Sequence, residues 1–163
     1  AAPAPTRPAP ALPPLPTPAE VLPPPGEAPN PLDAPASGSF SLEELVAASG
    51  LDHRALGDLN RFGLLSGRVV GGDTYYDADA MVVVRTAAAF LQFGIEARHL
   101  RMYKVAAERE AGFMEQVVMP LLKQRNPTAR KQAAENLAAL AALGEQLRAA
   151  LLRTALSDHT DLK

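Results

Sequence analysis

Three histidines, His53, His99 and His159, are the side chains of this cysteine-free chain best suited to proton transfer near neutral pH. They are far apart in sequence and share no metal-ligand spacing. Asp77 and Asp79 come nearest to a carboxylate pair, but at the start of an apolar run they serve as helix cap and dipole partner. Gly71-Gly72 is followed by neither the lysine nor the helix of a phosphate-cradling loop. Without cysteine there is no disulfide, thiolate metal site or thiol nucleophile. No catalytic residue, metal ligand or cofactor is therefore assigned, and an enzyme is not expected. Three other groups could do binding chemistry. Arg54, Arg61 and Arg68 could meet phosphates, although Asp52, Asp58 and Asp73 are interleaved with them. Phe90, Phe93, Tyr103, Phe113 and Met114 could line a ligand pocket or simply fill a core. Arg98, Arg101, Lys104 and Arg109 form a positive cluster with Glu108 among them, the ordinary pattern of a solvated helix face.

The elements that must hold these groups are legible from caps and periodicity. Ser41 and Glu44 form a capping box, Phe40 and Leu45 a hydrophobic staple, and Gly50 a left-handed stop. A second short helix from His53 to Phe62, capped by Asp52 and stopped by Gly63, completes a helix-turn-helix. Residues 68–70 and 74–76 flank Gly71-Gly72-Asp73 as a small hairpin. Asp77 caps an apolar helix that Gly94 ends at Phe93. The next helix starts near Glu96, with Leu100, Ala107, Ala111, Met114, Val118 and Leu121 at three-four spacing, and Pro120 should kink or end it near Met119. Asn126-Pro127 restarts a helix to about Leu156. Its seam is Leu137, Leu140, Leu147 and Leu151, widened by Leu143, Leu152 and Leu156. That is broad enough to need both the preceding helix and a partner subunit.

Composition separates this foldable part from what precedes it. Fourteen of the sixteen prolines lie in residues 1–38, where Pro/Ala composition leaves almost nothing to bury and favours an extended spacer. A Pro-x-x-Pro run at Pro13 to Pro16 is generic in these surroundings. Residues 39–163 hold 15 basic and 15 acidic side chains, so no basic balance argues for nucleic acid. No secretory signal or membrane span is visible, and a cytoplasmic protein is expected. Arginine outnumbers lysine twelve to four, a bias common in GC-rich bacterial genomes. The chain opens on Ala1, so a further segment is expected upstream.

The stretch Phe40 to Tyr103 resembles the DNA-binding module of the MerR family of bacterial transcription regulators. The likeness is carried by Phe40-Ser41-Leu42-Glu43-Glu44-Leu45, by Arg61-Phe62-Gly63-Leu64-Leu65 and by Tyr75-Tyr76-Asp77. The resemblance implies a Leu-Arg-Tyr-Tyr-Glu stretch where this chain has Leu56-Gly57-Asp58-Leu59-Asn60, and a wing arginine where it has Thr74. Residues that build the fold match; residues that bind phosphate do not. The pattern is most similar to the C-terminal effector domain of certain actinobacterial two-module regulators, of the type linked to a cell-division gene. There a DNA-reading winged helix is followed by a linker and a second, degenerate one.

The expected fold is mainly α: a degenerate winged helix-turn-helix with a small β-hairpin wing, followed by a long-helix hairpin. Residues 1–38 would be a proline-rich disordered linker, 39–103 the winged-helix-like part, 104–157 a dimerisation and effector region, and 158–163 a frayed tail. The resemblance implies a homodimer that reaches DNA through an upstream domain and answers to a small-molecule or protein effector, with no membrane partner. Two other readings are a DNA reader in its own right, using Arg54, Arg61 and Arg68, and a protein-interaction module.

Overall fold

The structure, a computed structural model, describes residues 38–160; the linker expected before them and the end of the expected tail lie outside that range. The first strand and helix grow from one short motif. β1 (Phe40–Ser41) leads directly into α1 (Leu42–Ser49), and Ser41 is at once the last strand residue and the N-cap. Its hydroxyl accepts from the Glu44 amide at 3.2 Å while the Glu44 carboxylate accepts from the Ser41 amide at 2.7 Å. Gly50 ends the helix at φ 70°, a conformation that disfavours a side chain. After a two-residue turn, Asp52 accepts from the Ala55 amide at 2.8 Å and starts α2 (His53–Arg61).

Beyond α2 the hairpin forms around Gly71 and Gly72, both at positive φ (64° and 96°), which a tight two-residue turn requires. Asp73 therefore belongs to the strand and not to the turn as expected: β2 (Arg68–Val70) pairs with β3 (Asp73–Tyr76) in the register Val70 to Asp73. β1 adds antiparallel to the other edge of β3, Phe40 opposite Tyr76, giving the order β1-β3-β2. This third strand went unpredicted because two residues carry no alternating pattern. Only the fold brings Phe40 beside Tyr76.

Asp77 caps α3 (Ala78–Gln92) through the Ala80 amide at 2.9 Å, and Gly94 at φ 76° turns the chain into α4 (Ala97–Leu122). α4 passes Pro120 and ends at Leu122 instead of stopping at Met119. A proline cancels one backbone bond, but the following amides can still bond, and Lys123 donates to the Met119 carbonyl at 3.0 Å. Arg125 then takes φ 54°, the one non-glycine positive φ among the described residues, before Asn126 caps α5 (Pro127–Thr160) through Ala129 at 2.8 Å. α5 continues past Leu156 because neither glycine nor proline follows to stop it.

Apolar burial concentrates in one place. Leu45, Leu56, Leu59, Leu65, Tyr76, Ala80, Val84, Ala87, Ala97 and Leu100 form the core under the winged helix. A smaller seam of Val118, Ala129 and Ala133 closes the base of the α4–α5 hairpin, where small residues let the two helices approach. Among the described residues no polar or charged side chain is buried.

Candidate functional site

α2 is the helix that a winged helix would present to a groove, and its charges are balanced. Leu56 and Leu59 anchor it to the core, which turns Arg54 and Arg61 outward. Both arginines line a cleft of about 460 Å³ that also takes in the start of α4. Arg54, Arg61 and Arg98 supply the positive charge of its lining; Asp52, Asp58 and Glu96 supply the negative. Arg98 is drawn towards Glu96, Nε to Oε2 at 3.1 Å, and the Arg61 guanidinium sits 6.0 Å from the Phe62 ring centre. Neither Arg54 nor Arg61 has an ion pair among the described residues. Glu96 and Arg98 were not linked to α2 by the sequence, since only the packing of α4 beside α2 brings them there.

Arg68, the third candidate phosphate contact, is exposed at the start of β2, beside Val69 and Val70, which are 69% and 52% exposed. The wing thus offers solvent Arg68, Val69 and Val70 from β2 and Asp73 and Thr74 from β3. Tyr76 is buried and Asp77 caps α3, so both keep the structural duties that the sequence gave them. A side chain added at Gly57 would meet open space, so nothing in the packing requires glycine at that point of α2.

The five residues weighed as a ligand pocket do not gather in one place. Phe90 leans on the core and its ring lies 5.6 Å from that of Tyr103. Phe93 is exposed at the end of α3. Phe113 and Met114 lie about 15 Å further along α4 from Tyr103, at a rise of about 1.5 Å per residue. Phe113 there is 64% exposed, whereas Met114 packs near Gly144 of α5.

The leucine seam of α5 divides in two. Leu137 and Leu140 are half-buried, whereas Leu147 and Leu151 are each 61% exposed, as is Leu143, with Leu152 and Leu156 little less so. The exposed leucines flank and follow the α4–α5 contact at Gly144 and Arg148. Gly144 approaches Glu110 closely and lies 3.2 Å from Met114 where a Cβ would stand, and Arg148 pairs with Glu110. One turn on, Ala106 and Ala107 of α4 and Leu151 of α5 are all exposed. The apolar seam of α5 thus continues into a stretch that its own chain leaves exposed.

The positive cluster also divides. Lys104 pairs with Glu108, while Arg98, Arg101 and Arg109 line a separate groove on the outer face of α4. His53 bonds Glu43 at 2.8 Å, His99 accepts from the Glu96 amide at 3.1 Å, and His159 lies against the Ala155 carbonyl at 3.1 Å, each in a local contact of its own. No group of three or more metal-ligating side chains occurs among the described residues, and no described helix is long and apolar enough to cross a membrane.

Residues 38–160 match the family described as Rv1828-like, C-terminal domain. Over 119 residues the chain is 30% identical to the uncharacterized HTH-type transcriptional regulator Rv1828 of Mycobacterium tuberculosis, and equally to Mb1859 of Mycobacterium bovis, named in the same way. In each case the match covers 73% of this chain and 47% of the relative, so the chain spans about half the length of the curated relatives it matches. Both relatives are named as transcription regulators and not as enzymes. With the family model matched from the first described residue to the last, the chain belongs to the Rv1828-like C-terminal domains.

Proposed function

We propose that this chain is the regulatory and dimerising domain of a MerR-like bacterial transcription regulator, and that it is itself a poor DNA binder. The observation that carries this reading is the charge balance of the α2 cleft, where three arginines face three carboxylates. Phosphate neutralisation supplies most non-specific DNA affinity, and carboxylates at the same surface oppose it. Gly57 and Thr74 stand where the MerR pattern has arginines, which removes two further contacts. DNA reading then falls to an upstream domain, in keeping with a match to only about half of each relative.

Pairing of two copies through the exposed part of the α5 seam would cover Leu147 and Leu151, whose own chain leaves them bare. A small-molecule or protein effector would act on this domain in the cytoplasm. Fluorescence anisotropy of the whole chain against mixed-sequence duplex DNA, at low and at physiological salt, tests the reading. Weak binding that disappears at physiological salt is expected. Tight binding at physiological salt would overturn it in favour of a DNA reader using Arg54, Arg61 and Arg68, all exposed and without ion pairs among the described residues.

A further inference from the structure

We infer that the outer face of α4 is a docking groove for the chain's own acidic lead-in, residues 19–33. The groove holds about 480 Å³ and runs along α4 from Arg98 to Arg109. Met102, Val105 and Ala106 are its apolar residues, Arg98, Arg101 and Arg109 its cationic ones, His99 completes the lining, and no carboxylate lines it. Positions 98, 101, 102, 105 and 109 share one side of a helix because residues three and four apart are neighbours there. That side is turned away from the rest of the molecule, since α4 meets the core through Ala97 and Leu100 and meets α5 through Glu110 and Met114.

Two features make this surface different from an ordinary solvated face. Met102 is 68% exposed at its centre, an apolar side chain with no cover. Arg98 is offset by Glu96, but Arg101 and Arg109 have no ion pair among the described residues. An exposed apolar floor with uncompensated positive charge at its rim fits a peptide in which carboxylates flank short apolar side chains.

The chain supplies such a peptide. Residues 19–33 contain Glu20, Glu27 and Asp33 with no basic residue, and Val21, Leu22 and Leu32 lie among them. From residue 39 onward, acids and bases are equal in number and interleaved. The segment is joined to Ser39 by residues 34–38, so docking is intramolecular, and a short tether that spans the two sites gives an effective concentration of about a millimolar. A contact too weak to form between free molecules can therefore be populated. Its prolines lower the conformational entropy lost on docking. The inference is independent of the regulator reading, because it needs only the groove and the segment.

Because the chain lacks cysteine, an Ala28→Cys variant takes a nitroxide label without background reaction. Paramagnetic broadening is then read on the ¹⁵N-labelled whole chain. The amides of residues 98–109 are expected to lose at least half their intensity at low salt. They recover in 1 M salt, where the screening length falls to about 3 Å. The same recovery is expected at low salt in Arg101→Glu/Arg109→Glu and in Glu20→Lys/Glu27→Lys/Asp33→Lys, and broadening should return when the two charge reversals are combined. Arg101 and Arg109 are exposed, so unchanged spectra elsewhere report an intact fold. Absence of broadening on α4, or broadening that survives both reversals, overturns the proposal. So does broadening of a ¹⁵N-labelled, spin-free chain mixed with a spin-labelled, ¹⁴N chain, which would place the segment on a second copy.

Discussion

At the scale of single residues, Gly57 and Thr74 carry the most information about DNA. Both are exposed, and a side chain at Gly57 meets open space. Restoring arginine there is therefore compatible with the fold, and Gly57→Arg should stabilise α2 by roughly 0.5–1 kcal/mol, since glycine is a poor interior helix residue. If lost phosphate contacts make this surface a weak DNA binder, Gly57→Arg/Thr74→Arg should bind duplex DNA measurably. The slope of log affinity against log salt should steepen by about 1.8, about 0.9 for each added contact. Anisotropy titrations at several salt concentrations read that slope directly, and an unchanged slope would count against the proposed loss. Gly67 is the opposite case. An added Cβ there would run into the Thr74 methyl and come within 3.0 Å of the Tyr76 ring. Gly67→Val should cost about 1–3 kcal/mol by overpacking, read as a lower midpoint in chemical denaturation.

At the scale of elements, the start of α1 shows how one cap links strand to helix. The backbone bond from Ser41, followed by its hydroxyl, holds the Glu44 carboxyl below its ordinary pKa. A lowered folded-state pKa means that this contribution is present above the unfolded value and fades as pH falls through the folded one. Wild type should therefore lose stability on acidification through and below the ordinary carboxylate range. Glu44→Gln keeps an acceptor for the Ser41 amide but does not titrate, so its denaturation midpoint should vary less over the same interval. Equal pH dependence in the two proteins would show that the box adds nothing in its ionised form. Caps and stops of this kind were legible in the sequence: Ser41, Asp52, Asp77 and Asn126 all cap where their residue types predicted. Pro120 was not legible in the same way, because a proline near a helix end removes one bond without preventing the next turn. β1 was not legible either, being two residues long and defined by its partner.

At the scale of the whole molecule, the exposed half of the α5 leucine seam is the feature with consequences. Leu147 and Leu151 continue the line of Leu137 and Leu140 but stay exposed. Full burial of each leucine in a symmetric interface would contribute about 1.5–3 kcal/mol, and each 1.4 kcal/mol is a tenfold change in affinity. Light scattering of the wild type at high micromolar concentration should give a dimer mass. Leu147→Glu/Leu151→Glu should shift that equilibrium towards monomer by at least about 100-fold on the same arithmetic. Both leucines are exposed in the single chain, so the variant keeps its fold, which circular dichroism would verify. A monomeric wild type would remove the basis for proposing dimerisation through this seam.

The sequence by itself determined where helices begin, where most of them end, and which faces are apolar. Those properties rest on local hydrogen bonds and on periodicity within one element, both written in neighbouring residues. The tertiary structure decided which charges share a cleft. Arg98 and Glu96 join Asp58 and Arg61 only because α4 lies beside α2. It also separated the aromatic residues weighed as one pocket and divided the leucine seam into a covered and an uncovered half. Contacts between elements depend on the direction in which each helix leaves the core, and no spacing within a single helix encodes that direction.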